Sequence, residues 1–521
     1  MKNRFLAVIL FCFVCIQPVW AVDFEKIDWE NLSVKEVKKK IKAWGDVNQK
    51  DENGKTALMY AVSDASPAIV KALIKAGADV NLKSDSVQRS PLTYAAENAD
   101  PVYAKILIKA GADINATDKY GSPVLHYASQ YNTSADVLAV LVKAKADVNA
   151  RDRSGQTPLM DIAEKYTDPK AVKVLVKAKA DINARDDFGY TPLMYAAANT
   201  DPAVLQELLK SGADIGIRDK SGKTVLMHAV GKKASPAVLE ILIKAKSDVN
   251  AKDEKGKTAL MYAAEKSAAP AVLETLINAK ADVNGVDEDQ KTALMYAAEK
   301  STDPAVLETL INAKADVNAE DEEGKTVAVY AAMNTNPAVL QTLIKAGAKI
   351  NKGDMHETTP LMYAAGFNAN PEIIDIFVKA GEDPNKENAF GATPLIFAVV
   401  NNNFNAVKPL IAAKADADRK GIFGRNLLMH TAENCSDPSV TEALIKAGAK
   451  LNATDWSGKT ALMYAAGFNA NPFVAEVLIK AGADFSVKDK NGKTAIDYAG
   501  KNAKQGVSAV QKLKEFIQNR Q

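Results

Sequence analysis

The feature that most constrains this chain is a short string that returns at a nearly constant interval. Thr56-Ala57-Leu58-Met59-Tyr60-Ala61 recurs in closely similar form, and each interval between copies is 33 or 34 residues. Modules this short bury an apolar face only by stacking on their neighbours. The 521 residues therefore predict one row of small units rather than the three or four independent domains that length alone suggests. The first position of the string falls at residues 56, 90, 123, 157, 191, 224, 258, 292, 326, 359, 393, 426, 460 and 494.

Each unit is predicted to be a hairpin turn followed by two helices. The stretch 292–298 carries apolar residues at a helical period. Thr302-Asp303-Pro304 then marks the start of a second helix, because the Asp oxygen caps free N–H groups and Pro at the first helical position has no N–H to lose. Residues 306–311 give that helix one apolar face. Asp219-Lys220-Ser221-Gly222 is typical of the tight turn that precedes each helix pair.

These residues resemble the ankyrin repeat over essentially the whole chain that follows the first segment. Asp-x-x-Gly-x-Thr-Pro-Leu, the paired alanines and Gly-Ala-Asp-Val-Asn occur in the family's order and period. The resemblance implies an all-α repeat solenoid of helix-turn-helix units with β-hairpin turns, forming an elongated curved superhelix. It also implies a non-catalytic scaffold that binds a protein partner on its concave surface and needs no cofactor. The family usually has His after Thr-Pro-Leu, whereas only His126 occupies that position here, so we expect the turns to be held more by packing than by that polar link.

The first twenty-one residues are typical of a secretory signal. Lys2 and Arg4 precede an apolar run from Phe5 to Ile16, and Pro18 and small residues then lead to a cleavage site after Ala21. A membrane anchor is the alternative, but twelve apolar residues fall short of the roughly 20 needed to span a bilayer. We therefore expect a periplasmic or secreted protein with no stable membrane insertion after cleavage.

The remaining chain divides into three parts. Residues 22–55 form an N-terminal capping unit, in which Ser33 caps a helix over 34–43. Residues 56–493 form the repeat array, and residues 494–521 a C-terminal capping repeat with a helix over 507–517.

Composition excludes several classes of function. The net charge of +2 disfavours a protein that coats nucleic acid, since that task needs a large cationic excess. After cleavage only Cys435 remains, which excludes an internal disulfide. We expect a monomer that binds a protein partner of unknown identity. Two alternatives stay open, a secreted effector that acts on a foreign or host protein and an enzyme or metal-binding protein.

Catalytic and metal-binding residues are scarce. His126, His228 and His430 lie far apart at first-helix positions usually held by Met or Tyr. No phosphate-binding glycine loop or His-Glu-x-x-His motif occurs, and Asp303 and its equivalents are interpreted as helix caps. The sequence therefore predicts no catalytic residue and no metal site.

Aromatic residues at the turn tips and at the ends of the first helices are the predicted partner-binding residues. Solvent-facing turns have no packing reason to be aromatic, and aromatic side chains anchor protein interfaces. The alternative is that they only cover neighbouring turns. The predicted residues are Tyr120, Tyr131, Phe188, Tyr190, Phe367, Phe390, Phe423, Trp456 and Phe468.

An acidic band on two adjacent turns is predicted to steer a basic partner, although a solvated face is the simpler interpretation. Its residues are Asp287, Glu288, Asp289, Glu320, Asp321, Glu322 and Glu323.

Two irregularities carry further expectations. Several units have Lys where others have the Gly that ends the second helix, as at Lys314, and we expect a strained left-handed residue there. Pro409 aligns with the interior of a second helix and is a candidate weak point or bend around residues 400–425, with a tolerated local kink as the simpler interpretation.

Overall fold

The computed structural model describes residues 22–131, 134–165, 168–199, 201–419, 424–500 and 515. The predicted signal segment lies outside the described residues, as does the predicted helix over 507–517 apart from residue 515. The chain divides into two compact units, with the boundary between Asp248 and Val249.

Both units consist of short helices joined by turns, as the repeat predicts. In the first unit the helices are α1 Val34–Trp44, α2 Ala57–Asp64, α3 Pro67–Lys75, α4 Pro91–Glu97, α5 Pro101–Lys109, α6 Val124–Tyr131, α7 Ala135–Lys143, α8 Pro158–Lys165, α9 Lys170–Lys177, α10 Pro192–Ala196, α11 Ala203–Lys210, α12 Val225–Gly231 and α13 Pro236–Lys244.

In the second unit the α-helices are α14 Ala259–Glu265, α15 Pro270–Asn278, α16 Ala293–Lys300, α17 Pro304–Asn312, α18 Val327–Met333, α19 Pro337–Lys345, α20 Pro360–Phe367, α21 Glu372–Lys379, α22 Pro394–Val400, α23 Val407–Ala412, α24 Leu427–Asn434, α25 Pro438–Lys446, α26 Ala461–Phe468, α27 Pro472–Ala481 and α28 Ala495–Ala499. A 3-10 helix over Phe404–Ala406 precedes α23.

Within each unit the helices pack on their nearest neighbours. First helices stack on first helices, as α14, α16, α18 and α20 do, and second helices stack on second helices in the same way. Leu294 from a first helix and Leu307 and Leu310 from the following second helix are fully buried. The core is thus a continuous strip between the two helix layers, which confirms the stacked-repeat interpretation.

Side-chain caps start both kinds of helix. The hydroxyl of Thr258 accepts a hydrogen bond from the N–H of Met261 at 3.3 Å, and Asp303 accepts one from Ala305 at 2.9 Å. The role of Asp303 as a helix cap is therefore confirmed. At the N-terminus Ser33 caps α1 as predicted.

The left-handed residue at the end of the second helices is also confirmed. Lys314 has a φ of 70° and Lys280 also has a φ of 70°, beside 97° for Gly77 at the equivalent position. The carbonyl of Lys314 accepts a hydrogen bond from the Asn284 side chain of the preceding repeat, and Asn284 accepts one from the N–H of Asp316. An asparagine of one repeat thus fixes the helix end of the next.

The expected weakening at Pro409 assumed that this proline lies in the interior of a helix, and that assumption is wrong. The α-helix there begins only at Val407, after the 3-10 helix, so Pro409 is its third residue. N–H groups in the first turn of a helix have no acceptor within the helix, and a proline there removes no helical hydrogen bond.

Candidate functional site

Eight of the described turns are held by an aspartate and a tyrosine nine residues later, which we call the Asp–Tyr clamp. One oxygen of Asp253 accepts hydrogen bonds from the N–H groups of Lys255 and Lys257 at 2.9 Å, and the other accepts the Tyr262 hydroxyl at 2.6 Å. The expectation that packing replaces a polar link in the turns is therefore wrong, because the tyrosine supplies that link. The same bond joins Asp118–Tyr127, Asp186–Tyr195, Asp287–Tyr296, Asp321–Tyr330, Asp354–Tyr363, Asp455–Tyr464 and Asp489–Tyr498.

The tyrosines of the clamp have raised pKa values. Burial, followed by the hydrogen bond to Asp455, raises the pKa of Tyr464 to about 12. The phenol therefore remains a hydrogen-bond donor at any physiological pH.

Backbone hydrogen bonds line the turns up in a row. The N–H of Glu322 donates to the carbonyl of Asp289, and the N–H of Met355 donates to the carbonyl of Glu323, each at 3.0 Å. Because each turn tip is joined to the next, side chains at the tips lie side by side. We call the surface made by these tips and the adjoining exposed side of the first helices the turn-side surface.

In several repeats a charged pair crosses the turn-side surface. The residue before the repeated Thr is often Lys or Arg (the cation position), and the residue seven after that Thr is often Glu (the acid position). Lys257 lies 3.3 Å from Glu265 and 4.2 Å from the ring centre of Tyr296. Arg425 lies 2.8 Å from Glu433.

Two consecutive repeats lack both members of that pair. Thr358 and Ala392 occupy the cation position, and Gly366 and Val400 the acid position. The second of these repeats also has Phe397 in place of the clamp tyrosine. The cation and acid positions are therefore uncharged in these two repeats, which we call the two neutral repeats.

The predicted aromatic residues are largely exposed. Phe390 is 76% and Trp456 69% exposed, and the set also includes Tyr120, Tyr131, Phe188, Phe367 and Phe468. Tyr190 is half-buried, with its ring centre 4.6 Å from that of His228. Phe423 lies outside the described residues.

Contacts with neighbouring turns hold the aromatic tips in place. The ring centres of Phe390 and His356 are 5.4 Å apart, and Arg153 lies 4.9 Å from the ring centre of Tyr120. A Cβ atom on Gly424 would come within 2.6 Å of Trp456. The tips do cover their neighbours, as the alternative interpretation holds, yet Phe188, Phe390 and Trp456 remain more than 60% exposed.

The helix aromatics lie beside the clamp tyrosines. The ring centre of Phe367 is 6.3 Å from that of Tyr363, and Phe468 is 5.9 Å from Tyr464. Residues four apart share a helix face, so these rings belong to the turn-side surface.

Sequence reasoning missed three exposed apolar residues, Met355, Val400 and Phe473. Met355 follows the clamp aspartate, a tip position that is usually charged, and Val400 takes the acid position. Comparing each unit position by position would have found these two.

The acidic band is smaller than predicted. Asp287 and Asp321 are only 5% and 9% exposed, because their oxygens are taken up by the turn amides and the clamp tyrosines. Glu320 forms an ion pair with Lys352. Glu323 pairs with Lys325 at 2.5 Å and Asp289 with Lys291 at 3.4 Å, while Glu288 and Glu322 are exposed.

His126 and His228 have structural partners, whereas the buried Nε2 of His430 has no hydrogen-bond partner among the described residues. Buried His126 lies 2.6 Å from Asp161 and 3.1 Å from the carbonyl of Ala150, and His228 lies 2.9 Å from Asp219 in the place of a clamp tyrosine. Burial raises the pKa of the Cys435 thiol, which is 3% exposed. Among the described residues no group of three or more His, Cys, Asp or Glu is arranged to hold a metal ion.

No helix in the described part of the chain is both long enough and apolar enough to cross a bilayer.

Comparison with protein families gives one match, to the model described as ankyrin repeats (3 copies). No curated protein matches the chain. The family model matches overlapping stretches at residues 30–118, 125–219, 193–287, 226–321, 267–354, 294–388, 328–421, 361–455 and 428–517.

Proposed function

Because the chain belongs to the ankyrin repeat family, whose repeats support protein–protein interaction, we propose that it is an exported, non-catalytic scaffold that binds a protein partner on its concave, turn-side surface. The partner's main anchor points are the aromatic residues of the second unit. Export rests on the signal-like segment 1–21.

One contrast within the second unit carries this proposal. From Val249 to Asp354 no large apolar side chain of the described residues is exposed. Among the described residues from Met355 to Phe473 seven are exposed, six of them at turn tips or on first helices and Phe473 on a second helix. The two neutral repeats lie within that stretch. Exposed apolar residues without a function would be distributed over all repeats, whereas a binding interface concentrates them in one place.

The chemistry of the stretch favours a partner with apolar side chains. Phe367 and Val400 are exposed at positions where many other repeats present charged or amide groups, so an incoming apolar group displaces water there without desolvating a charge. Ion pairs lie on either side, Lys325–Glu323 before the two repeats and Arg425–Glu433 after them. These charged pairs form a polar rim that limits where the partner sits.

Affinity capture tests the proposal. The chain from Val22 onward is used as bait, and a variant with Phe367, Phe390, Phe423, Trp456 and Phe468 changed to Ala is compared with the wild type. We expect a protein retained by the wild type to be lost from the variant. A matched control changes the buried, clamp-forming Tyr296 and Tyr330 to Phe and should retain the partner. Equal retention by all three proteins contradicts the proposed surface.

Export is tested separately. Expression of the full chain in its source cell, followed by N-terminal sequencing of the product, should give a chain that starts at Val22 in the periplasm or the medium. A product that still starts at Met1 inside the cell contradicts export and leaves the binding surface untouched.

A further inference from the structure

Helix α1 carries a row of lysines that no other helix of the described chain matches. Five of its eleven residues are Lys. By position α1 is a second helix, since it packs on α3, and the second helices that follow it in the array usually end in a single Lys, such as Lys75 or Lys109.

Packing fixes which way this row points. Val37 is fully buried, and the ring of Trp44 lies edge-on to Phe24 with 5.2 Å between ring centres. The lysines at positions i, i+3, i+4 and i+7 share another helix face and are exposed. These lysines are Lys35, Lys38, Lys39 and Lys42, and together with Ser33 and Glu36 they line a shallow groove of about 700 Å³.

The positive charge of this face is not balanced by ion pairs. Glu36, the one acid of α1, is turned toward the helix start, where it accepts hydrogen bonds from the N–H and the hydroxyl of Ser33 at 2.8 and 2.6 Å. Some second helices elsewhere pair a lysine with a glutamate one turn earlier, as in Lys446–Glu442 at 2.6 Å. None of the five α1 lysines forms an ion pair with a carboxylate in the described part of the chain.

We propose that the lysine face of α1 docks onto a bilayer surface rich in anionic phospholipid. The row spans about 10 Å of helix and contains no Arg and no aromatic residue. Lysine ammonium groups act as compact point charges and lack the planar, bidentate geometry with which Arg recognises a single phosphate or carboxylate group. Such a row suits a diffuse negative surface, toward which each Lys contributes additively. The helix also starts twelve residues after the predicted cleavage site, so it is the first folded helix behind a segment predicted to reach a membrane.

Vesicle co-sedimentation tests this proposal with the chain from Val22 onward, which keeps the described residues and omits the apolar run 5–16. The chain should sediment with vesicles of phosphatidylcholine mixed with phosphatidylglycerol and stay in solution with pure phosphatidylcholine. High salt should release it, because screening weakens the attraction.

Two variants with equal change in net charge locate the effect. Replacing Lys35, Lys38, Lys39 and Lys42 with Gln should weaken vesicle binding at least about tenfold, since each Lys adds to the attraction. Gln preserves helix propensity, and circular dichroism verifies folding. The control replaces Lys75, Lys109, Lys143 and Lys177 with Gln, on four other helices, and should bind like the wild type.

Any one of four results overturns the proposal. The wild type fails to sediment with the anionic vesicles, or both variants lose binding equally, or the α1 variant still binds. Displacement of the vesicles by a single-stranded oligonucleotide that binds the chain more tightly also overturns it, because the face would then take a nucleic acid. None of these results bears on the aromatic surface, whose test uses a different probe and different residues.

Discussion

Two stretches of the second unit share the same stacked helices and clamped turns, which we call the frame, and differ in the side chains that they expose to solvent. Residues 253–333 carry intact Asp–Tyr clamps and the charged pair Lys257–Glu265, with no large apolar side chain exposed. Residues 355–473 stack in the same way, but their described part presents seven exposed apolar side chains and the two neutral repeats. Frame and surface are therefore separable, so changes in one should leave the other intact.

The largest loss of stability is expected in the first unit, where two residues of the frame differ from those in most repeats. There His126 and Asp161 replace the usual Met and Tyr and form a buried pair across two repeats. At pH 6, where His126 carries its proton, His126→Ala leaves the Asp161 carboxylate buried without its cation and should lower the free energy of unfolding by about 3 to 5 kcal/mol in urea titrations. The double variant His126→Met with Asp161→Tyr restores the common residues and should be close to the wild type; a loss as large as that of His126→Ala contradicts this view.

The same pair predicts a pH dependence. Burial lowers the pKa of His126, but the hydrogen bond and charge of Asp161 outweigh burial and raise it. The stabilisation is thus complete below about pH 6.5 and is lost as the pH rises through the raised value. Urea titrations across that range should show the wild type losing stability relative to the double variant, and parallel curves would show that the pair does not titrate.

Glu382, which lies in the stretch 355–473, is a second group whose titration should change the stability of the chain. It takes a position held by Ala in most repeats, is 3% exposed, and burial raises its pKa to about 7. The folded state therefore holds a proton that the unfolded chain releases above about pH 4.5, and stability falls as the pH rises from there to about 7. Glu382→Ala should be more stable than the wild type by up to about 3 kcal/mol at pH 8 and by little at pH 4. An advantage that does not change with pH would contradict the titration of Glu382.

The next largest loss of stability is expected from variants that break an Asp–Tyr clamp. Asp321→Ala removes two turn hydrogen bonds and leaves the buried Tyr330 hydroxyl without its acceptor, which should lower the unfolding free energy by about 2 to 3 kcal/mol. Tyr330→Phe removes one bond and should lower it by about 1 kcal/mol, since the repeat with Asn388 and Phe397 keeps its turn without that bond. Equal losses in chemical denaturation would show that the turn amides contribute nothing.

The smallest effect is expected at the helix ends. Lys314 holds a left-handed φ of 70° that glycine adopts without strain, and Lys314→Gly should stabilise the chain by about 1 kcal/mol. A melting temperature that falls or does not move would contradict the strain. Lys345→Gly, inside the last turn of a second helix, is the matched control and should destabilise.

The repeat length, the helix pairs, the caps and the left-handed helix ends could be predicted from the sequence, because each depends on local residue chemistry repeated many times. The clamp could not, since the bond from Tyr262 to Asp253 depends on how the first helix sits against its turn. The burial of Asp287 and Asp321 was missed for the same reason. Pro409 was misjudged because alignment with its neighbours hid the later start of α23.

The most direct test of the central claim restores the missing charges on the neutral repeats. Ala392→Lys with Val400→Glu recreates the pair seen at Lys257 and Glu265, on exposed or half-buried positions that should tolerate it. Isothermal titration of the captured partner should show affinity at least about tenfold weaker for this variant than for the wild type, with an unchanged melting temperature. Unchanged affinity would contradict the claim that the partner binds over these two repeats.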